Sequence, residues 1–297
     1  MSSSCILATI DGCDRSIYIG SHLLTRMIRV DPIQRIIRAA IFSGYLKDEK
    51  PLSVIIIGKP ESGKTQMLEA FYELHGVKVL TDATAYGIIK ATDELKDIEN
   101  GTVKHLIIPD LTTPMAKRYE TTRSFISFMN ALIEEGIIDI STYATNIKRS
   151  QRKAVRCGFI TAVTEDMFSD KRHGWGKIGF LSRTFPVSYD YCSETQHEIF
   201  DHITRGRHLH EPLEDISLPL RMVDVTLDER IAKELIPYVQ AVVRDAEELY
   251  GFRLQRQVQT LLKACALMDG RTEVTTADKH VVIEMMEYAN IEHKKEI

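Results

Sequence analysis

The sequence predicts an α/β protein in which a parallel sheet carries helices on both faces, followed by a smaller, all-helical domain. Short apolar runs that suit buried strands alternate with helical patterns along the first part of the chain. From Leu227 onward, the apolar residues recur at helical spacings of three and four residues. We therefore expect an α/β core over residues 1–210, a linker over 211–224 and a helical domain over 225–297.

The composition is that of an ordinary globular protein of about two domains. Of the 297 residues, 44% are hydrophobic and 27% are charged, and the net charge is −4. An acidic chain has no general affinity for nucleic acid, so such binding requires a local basic patch. The five cysteines are scattered without a C-x-x-C pair, which is typical of a reducing compartment. With no signal peptide and no apolar run of about 20 residues, we expect a cytoplasmic protein without a membrane partner.

The stretch from Val54 to Thr65 has the pattern of a strand, a phosphate-binding loop and a helix start. An apolar run leads into the G-x-x-x-x-G-K-[ST] motif and a trailing glutamine, which are Gly58, Lys59, Pro60, Glu61, Ser62, Gly63, Lys64, Thr65 and Gln66. The glycines let the backbone curl around a phosphate, and successive N–H groups then face the anion. Lys64 can reach the β- and γ-phosphates of ATP, and the Thr65 hydroxyl can coordinate Mg²⁺. The motif therefore predicts ATP and Mg²⁺ as ligands.

Two further predicted strands end in polar residues. The predicted buried strand over 103–109 is followed by Asp110, and the predicted buried strand over 157–163 is followed by Thr164 and Glu165. Ligands of parallel α/β sheets bind at the carboxyl ends of the strands, so these side chains are expected beside the phosphate loop. We expect Asp110 to hold Mg²⁺ through water; a helix cap after the strand is the alternative for this residue.

One local patch of positive charge stands out in this acidic chain. A strand-like run over 137–143 leads into a turn, and five basic residues follow between Lys148 and Arg156. The pattern predicts a hairpin over 144–156 whose basic rim can contact a phosphate backbone without reading sequence. A solvated charge run or a subunit contact is the alternative. The candidate DNA contacts are Lys148, Arg149, Arg152 and Lys153.

The region after Glu165 supplies two candidate elements. The segment 171–177 carries two glycines, several basic residues and the single tryptophan, Trp175, and we expect a loop there. Residues 179–189 then suggest a short helix, which contains Arg183, and a final strand. A salt bridge at a helix end is one interpretation of Arg183.

With both parts in view, the chain resembles an AAA+ ATPase, which has a P-loop αβα core followed by a small helical lid. The resemblance is to the ATPase domain of minichromosome maintenance (MCM) helicases and their MoxR-like relatives. Gly58–Gln66 is similar to the MCM phosphate loop, and Phe180–Phe185 resembles the arginine-finger segment. Arg256–Ala264 resembles the lid helix that carries the sensor-2 arginine. The predicted hairpin resembles the presensor-1 hairpin, whose basic tip faces DNA in MCM helicases.

The resemblance implies a homo-oligomeric ring that binds ATP and ADP. Arg183 would reach the γ-phosphate held by a neighbouring subunit, and Arg256 would respond from the lid, unless it is simply a solvated helix arginine. Thr164 falls at the sensor-1 position. Asp110 falls at the position of the Walker B aspartate. ATPases of this type usually place a glutamate directly after that aspartate, whereas Leu111 follows Asp110 here.

Glu165 is the candidate substitute for that glutamate. In this fold, the strand that ends at Thr164 lies between the strand before the phosphate loop (Walker A) and the strand before Asp110 (Walker B), so Glu165 is the nearest acid by topology. Glu165→Gln should then abolish hydrolysis and leave ATP binding intact, as turnover and nucleotide titrations would measure. Unchanged turnover would rule out this role.

Three functions are open at this point. The chain could be a DNA helicase or translocase that works with a separate loader or primase. It could be a nucleotide-switched assembly or scaffold protein with weak hydrolysis. It could also be a MoxR-like remodeller of a substrate protein. The basic hairpin favours the first two, and the missing glutamate favours the second.

Overall fold

The computed structural model describes residues 28–141, 146–147, 154–205, 216–244, 250–289 and 294–297. Its strands are β1 (Val54–Gly58), β2 (Val77–Val79), β3 (His105–Ile108), β4 (Ile140–Ser141), β5 (Asn146–Ile147), β6 (Gly158–Thr164), β7 (Phe185–Asp190) and β8 (Lys295–Glu296). Its helices up to residue 205 are α1 (Asp31–Ser43), α2 (Lys64–Glu69), α3 (Ala85–Ala91), α4 (Lys96–Glu99), α5 (Thr112–Met115), α6 (Tyr119–Asn130), α7 (Glu165–Lys177) and α8 (Ser193–Thr204). The later helices are α9 (Glu229–Glu234), α10 (Ile236–Arg244), α11 (Phe252–Met268) and α12 (Thr276–Met286).

Six strands form one parallel sheet in the order β2–β3–β6–β1–β7–β8, which confirms the predicted α/β class. β6 pairs with β1 on one side and with β3 on the other. The strand that ends at Thr164 therefore lies between the strand before the glycine loop and the strand before Asp110, as predicted. We call the edge at which these strands end the carboxyl edge, and the opposite one the amino edge.

Alternate residues of β1 face two separate hydrophobic cores. Val54 and Ile56 belong to the first core, which α1, α11 and α12 cover. Ile55 and Ile57 belong to the second core, which α3, α6 and α7 cover. Successive side chains of a strand point to opposite faces, so a strand that is buried on both faces needs an unbroken apolar run. This requirement explains the all-apolar sequence before Gly58.

The helices α9 to α12 pack on the first core together with α1. Lys263 of α11 forms an ion pair with Glu49, which precedes β1. α12 begins with a capping box, in which Asp278 accepts a hydrogen bond from the Thr275 amide. Among the described helices, none combines the length and the apolar character needed to cross a membrane.

Part of the predicted linker packs against the α/β core. Residues 216–224 include Val223, which forms a parallel bridge with Leu46, and the Lys47 amide donates to the Val223 carbonyl at 2.8 Å. Residues 211–215 lie outside the described residues.

β8 joins the sheet beside β7, although the sequence pattern predicted only helices after Leu227.

The prediction of a loop over 171–177 is wrong, because these residues form the second half of α7. Trp175 is buried, and its ring packs edge-on against Phe168 and Phe180, with centroids 6.2 and 5.6 Å away. Each neighbouring glycine costs about 1 kcal/mol in a helix. Burial of the tryptophan and phenylalanine rings contributes about 2 kcal/mol or more per side chain, so tertiary packing outweighs the local preference.

The predicted hairpin is described only in part. β4 and β5 pair antiparallel, with Ile140 opposite Ile147. An antiparallel bridge closes the base of this excursion, where Ile137 and Val155 exchange two backbone hydrogen bonds of 2.9 Å. Residues 142–145 and 148–153 lie outside the described residues, and so do the candidate DNA contacts Lys148, Arg149, Arg152 and Lys153.

Candidate functional site

The loop that is predicted to bind phosphate lies between β1 and α2, at the carboxyl edge, as predicted. We call it the phosphate loop. Gly63 has φ 78° and directly precedes α2, which is a left-handed conformation that glycine adopts without strain. Glu61 also has a positive φ of 64°, which is strained for a residue with a side chain. A Cβ on Gly58 would lie 3.0 Å from the Ser62 hydroxyl oxygen, because the loop folds back tightly over the end of β1.

Lys64 lies inside the curve of this loop. Its ammonium donates to the Gly58 carbonyl at 2.9 Å, to the Lys59 carbonyl, and to the Ser62 hydroxyl at 3.2 Å. Burial lowers the pKa of Lys64, while the charges of Glu165 and Asp110 partly oppose this shift. The two acids that follow β6 and β3 are therefore close enough to act on the same ammonium.

Asp110 follows β3 at the carboxyl edge, with its carboxylate exposed. One oxygen accepts a hydrogen bond of 2.8 Å from the Thr112 amide, but Leu111, not Asp110, is the N-cap residue of α5, which has no side-chain cap. The Thr65 hydroxyl is exposed at the start of α2. A hydroxyl and a carboxylate are hard oxygen ligands of the kind that hold Mg²⁺ beside substrate phosphates, so these residues fit the predicted ion.

Thr164 and Glu165 form the junction between β6 and α7. The Thr164 hydroxyl accepts a hydrogen bond of 3.4 Å from the Met167 amide and so caps α7. Glu165 forms an ion pair of 2.5 Å with Lys294, which directly precedes β8. The second carboxylate oxygen of Glu165 is buried and has no hydrogen-bond partner among the described residues.

Two tyrosines anchor the loop from the neighbouring strand. The hydroxyls of Tyr189 and Tyr191 both donate to the Ser62 carbonyl at 2.8 Å. Burial raises the pKa of both phenols, which keeps them protonated as donors. Lys59 adds an ion pair to Asp190, which lies between them. The sequence analysis did not identify these residues, although tyrosines at alternate positions at the end of the last predicted strand and just after it are a usable signal.

Arg183 lies at the amino edge, two residues before β7 begins. Its guanidinium donates to the Gly179 carbonyl at 2.6 Å and forms an ion pair with Glu135, which ends the π-helical turn after α6. Burial raises the pKa of Glu135, but Arg183, a backbone hydrogen bond and the charge of Arg253 together outweigh that effect and hold the pKa below its usual value. The arginine is therefore oriented by its own chain and lies across the sheet from the phosphate loop.

Arg256 and Arg253 line the same cavity as Arg183. This cavity, of about 160 Å³, also includes residues 48–53, which lead into β1, and so it opens at the amino edge. Arg253 donates to the Ser182 hydroxyl at 3.0 Å, and its Nε lies 4.0 Å from a Glu134 carboxylate oxygen. The sequence had suggested no role for Arg253.

The predicted residues thus fall into two groups and a remainder. The phosphate loop, Asp110, Thr164 and Glu165 meet at the carboxyl edge. Arg183 and Arg256 meet at the amino edge, away from the phosphate loop of their own chain. The basic residues of the hairpin lie outside the described residues.

In comparisons with known proteins, no family model matches the chain, and no curated protein matches it at a significant level.

Proposed function

We propose that this protein is an ATP-binding AAA+ ATPase that assembles into a ring and hydrolyses ATP between neighbouring subunits. The observation that carries the proposal is the placement of the phosphate loop, Asp110 and Glu165 after three neighbouring parallel strands at one sheet edge. These are the group types that a P-loop ATPase needs, in the strand–loop–helix context that the motif requires. The helices α9 to α12 would form the lid in this proposal.

The opposite edge supports hydrolysis between subunits. Arg183 precedes β7, whereas the phosphate loop follows the parallel strand β1, so the two lie at opposite ends of neighbouring strands. Arg183 therefore does not reach the phosphate loop of its own chain. In a closed ring, the amino edge of one subunit would face the carboxyl edge of the next. Arg183 would then contact the γ-phosphate that a neighbour holds, and Arg256 would lie beside it.

Each residue has a distinct task in this scheme. The loop amides and Lys64 bind the phosphates, and Thr65 and Asp110 hold Mg²⁺, which supplies charge neutralisation for the transferring phosphoryl group. Glu165 orients water with its carboxylate. Arg183 adds positive charge in trans, where negative charge grows in the transition state.

DNA is the proposed substrate of the ring, in a helicase or translocase role related to MCM proteins. This part of the proposal rests on the basic run after β5, whose positive charges suit a phosphate backbone. A separate loader, primase or substrate protein would complete the machine.

The second candidate is a nucleotide-switched assembly protein that hydrolyses ATP slowly. Two observations favour it. Leucine follows Asp110 where a water-polarising glutamate would be expected, and the substitute acid Glu165 is already paired with Lys294. Such a protein would form its ring when it binds ATP, and the ring would come apart slowly as the ATP is hydrolysed.

The test is steady-state ATP turnover with and without single-stranded and duplex DNA, with Lys64→Ala as the blank. Strong turnover that DNA stimulates is expected for a motor. ATP binding with little turnover in every condition would support the switch and overturn the helicase proposal. If the wild type binds ATP no better than Lys64→Ala does, the whole proposal falls.

The DNA contact is tested separately by a variant with alanine at all four candidate contacts. DNA binding by the wild type should weaken steeply with salt, and the variant should lose this binding while it still binds ATP. Equal DNA binding by both proteins would rule out these four contacts, and no DNA binding by either would favour a MoxR-like remodeller. The four positions are Lys148, Arg149, Arg152 and Lys153.

A further inference from the structure

We propose that β8 brings a charge-compensating lysine to the nucleotide site: Lys294 neutralises Glu165 beside the phosphate loop, so that nucleotide binding and docking of β8 on the sheet favour each other. The inference rests on the proposed nucleotide binding. The motif alone would place the site between residues 58 and 66. Lys294, which precedes the edge strand β8, would join that site as a positioning residue.

The first support is the way in which β8 is attached. β8 extends the sheet beside β7, with Tyr189 opposite Lys295 and Asp190 opposite Glu296. The Ile297 amide donates to the Asp190 carbonyl at 2.9 Å, and the Cys192 amide donates to the Ile297 carbonyl at 3.1 Å. β8 is therefore docked on the same strand whose side chains anchor the phosphate loop.

The second support is the contact itself. The Lys294 ammonium lies 2.5 Å from a carboxylate oxygen of Glu165, and each of these side chains is only 24% exposed. The contact with Asp190 raises the pKa of Lys59, and the charge of Glu165 adds a smaller increase. Burial lowers the pKa of Lys64, and the charge of Glu165 opposes this shift. One lysine therefore contacts the Glu165 carboxylate directly, and the charge of this carboxylate also acts on two lysines of the phosphate loop.

The electrostatic consequence is simple. A bound nucleotide triphosphate brings several negative charges to the loop, and an uncompensated Glu165 would repel them. A unit charge at about 8 Å, in a medium with an effective dielectric constant of about 30, changes a binding constant about tenfold. Lys294 removes this penalty when β8 is docked. By linkage, nucleotide must then strengthen the docking of β8 by the same factor.

The experiment compares Mg-ATP dissociation constants at one fixed salt concentration for the wild type, Lys294→Ala, Glu165→Gln and the double variant. Lys294→Ala should bind ATP about tenfold more weakly, because it leaves Glu165 unpaired near the phosphates. Glu165→Gln should bind ATP at least as tightly as the wild type. In the double variant, removal of the carboxylate should restore most of the affinity. Lys294→Arg, which keeps the charge, should bind like the wild type.

Lys295→Ala is the matched control. Lys295 lies in β8 itself and forms an ion pair with Glu287, away from the phosphate loop, so its loss should leave ATP binding unchanged. Hydrogen exchange provides a second readout. ATP should slow exchange of the Ile297 amide in the wild type and have much less effect in Lys294→Ala.

The outcomes separate the inference from the proposed function. If the wild type binds ATP and Lys64→Ala does not, nucleotide binding stands. Unchanged affinity in Lys294→Ala would then overturn the inference, and so would a double variant as weak as Lys294→Ala, because that result means that the lysine acts only on β8. If the wild type does not bind ATP, the proposed function and the inference both fall.

Discussion

The two edges of the parallel sheet hold charged groups in different ways. At the carboxyl edge, one continuous loop curls around Lys64, and the acids Asp110 and Glu165 follow two neighbouring strands. At the amino edge, Arg183 and Arg253 come from elements far apart in the chain and meet at one cavity.

In the proposed ATPase, the two edges would receive an anion in different ways. Backbone N–H groups at the carboxyl edge are built into the loop and need no charged partner. The arginines at the amino edge are held instead by acids of the same chain, with Arg183 on Glu135. In the proposed ring, a phosphate from a neighbouring subunit would displace a carboxylate at the amino edge, whereas at the carboxyl edge it would draw the Lys64 ammonium away from the loop carbonyls.

The strongest test of this comparison is complementation between subunits. Arg183→Ala should lower turnover about 10³-fold, because an arginine in trans supplies transition-state charge, and it should leave ATP binding nearly unchanged. Lys64→Ala should abolish ATP binding. A mixture of the two inactive proteins should regain turnover, since some interfaces then combine an intact loop with an intact arginine. The measurement is steady-state turnover against the mixing ratio.

No recovery in the mixture would contradict hydrolysis between subunits, provided that both variants still assemble. Arg172→Ala serves as the control, because this exposed arginine lies on α7, away from the cavity that Arg183 lines. It should leave turnover within about twofold of the wild type, as expected of an exposed surface position.

A change in the helical part should lower stability without changing either edge. Arg271 makes two hydrogen bonds, of 2.7 and 2.6 Å, to the buried Asp278. Asp278→Asn should lower the free energy of unfolding by about 2 kcal/mol, because it breaks a largely buried ion pair. Asp269→Asn removes an exposed partner of the same arginine and should cost about 0.5 kcal/mol or less. Denaturant titrations at 25 °C measure both.

This ion pair also predicts a pH dependence. Burial raises the pKa of Asp278, but hydrogen bonds from Arg271 and Thr275 outweigh it and leave the pKa below the usual value. The stabilisation is therefore fully present above about pH 4, the pKa of an unfolded aspartate, and is lost as the pH falls through the folded pKa. The difference in stability between wild type and Asp278→Asn should shrink in that window. A constant difference would contradict the assignment.

The tyrosine anchor should have a smaller, non-additive effect at the carboxyl edge. Tyr189→Phe and Tyr191→Phe should each weaken ATP binding less than about threefold, because the remaining hydroxyl still satisfies the Ser62 carbonyl. The double variant leaves that carbonyl without either donor and should weaken binding about tenfold. Titrations of the four proteins with ATP test this coupling. Strictly additive effects would mean that the two hydrogen bonds are independent.

The smallest expected effect concerns the acid that holds Arg183. Glu135→Gln removes the carboxylate that a neighbour's phosphate would displace, so ATP-dependent self-association should tighten about two- to threefold. Analytical ultracentrifugation with and without ATP measures this. Glu94→Gln breaks an exposed ion pair with Lys90 on α3 and is the control that should change nothing. Weaker association of Glu135→Gln would mean that the acid orients Arg183 rather than competes for it.

The features that depend on neighbouring residues could be predicted from the sequence. The apolar runs before Gly58 and Asp110 predicted strands, and the spacing of Gly58, Gly63 and Lys64 predicted the loop. Such patterns are readable because strand burial and loop curvature act on residues next to one another in the chain. The parallel class followed from the alternation of strands and helices.

Tertiary structure alone decided which distant residues meet. Nothing in the sequence paired Lys294 with Glu165, or brought Arg253 to Arg183, since these contacts depend on how separate elements dock. The same holds for Trp175, whose glycine neighbours favour a loop until its ring packs against Phe168 and Phe180. Packing between remote elements leaves no periodic signature in the chain, because its free energy arises only after the sheet and its helices have come together.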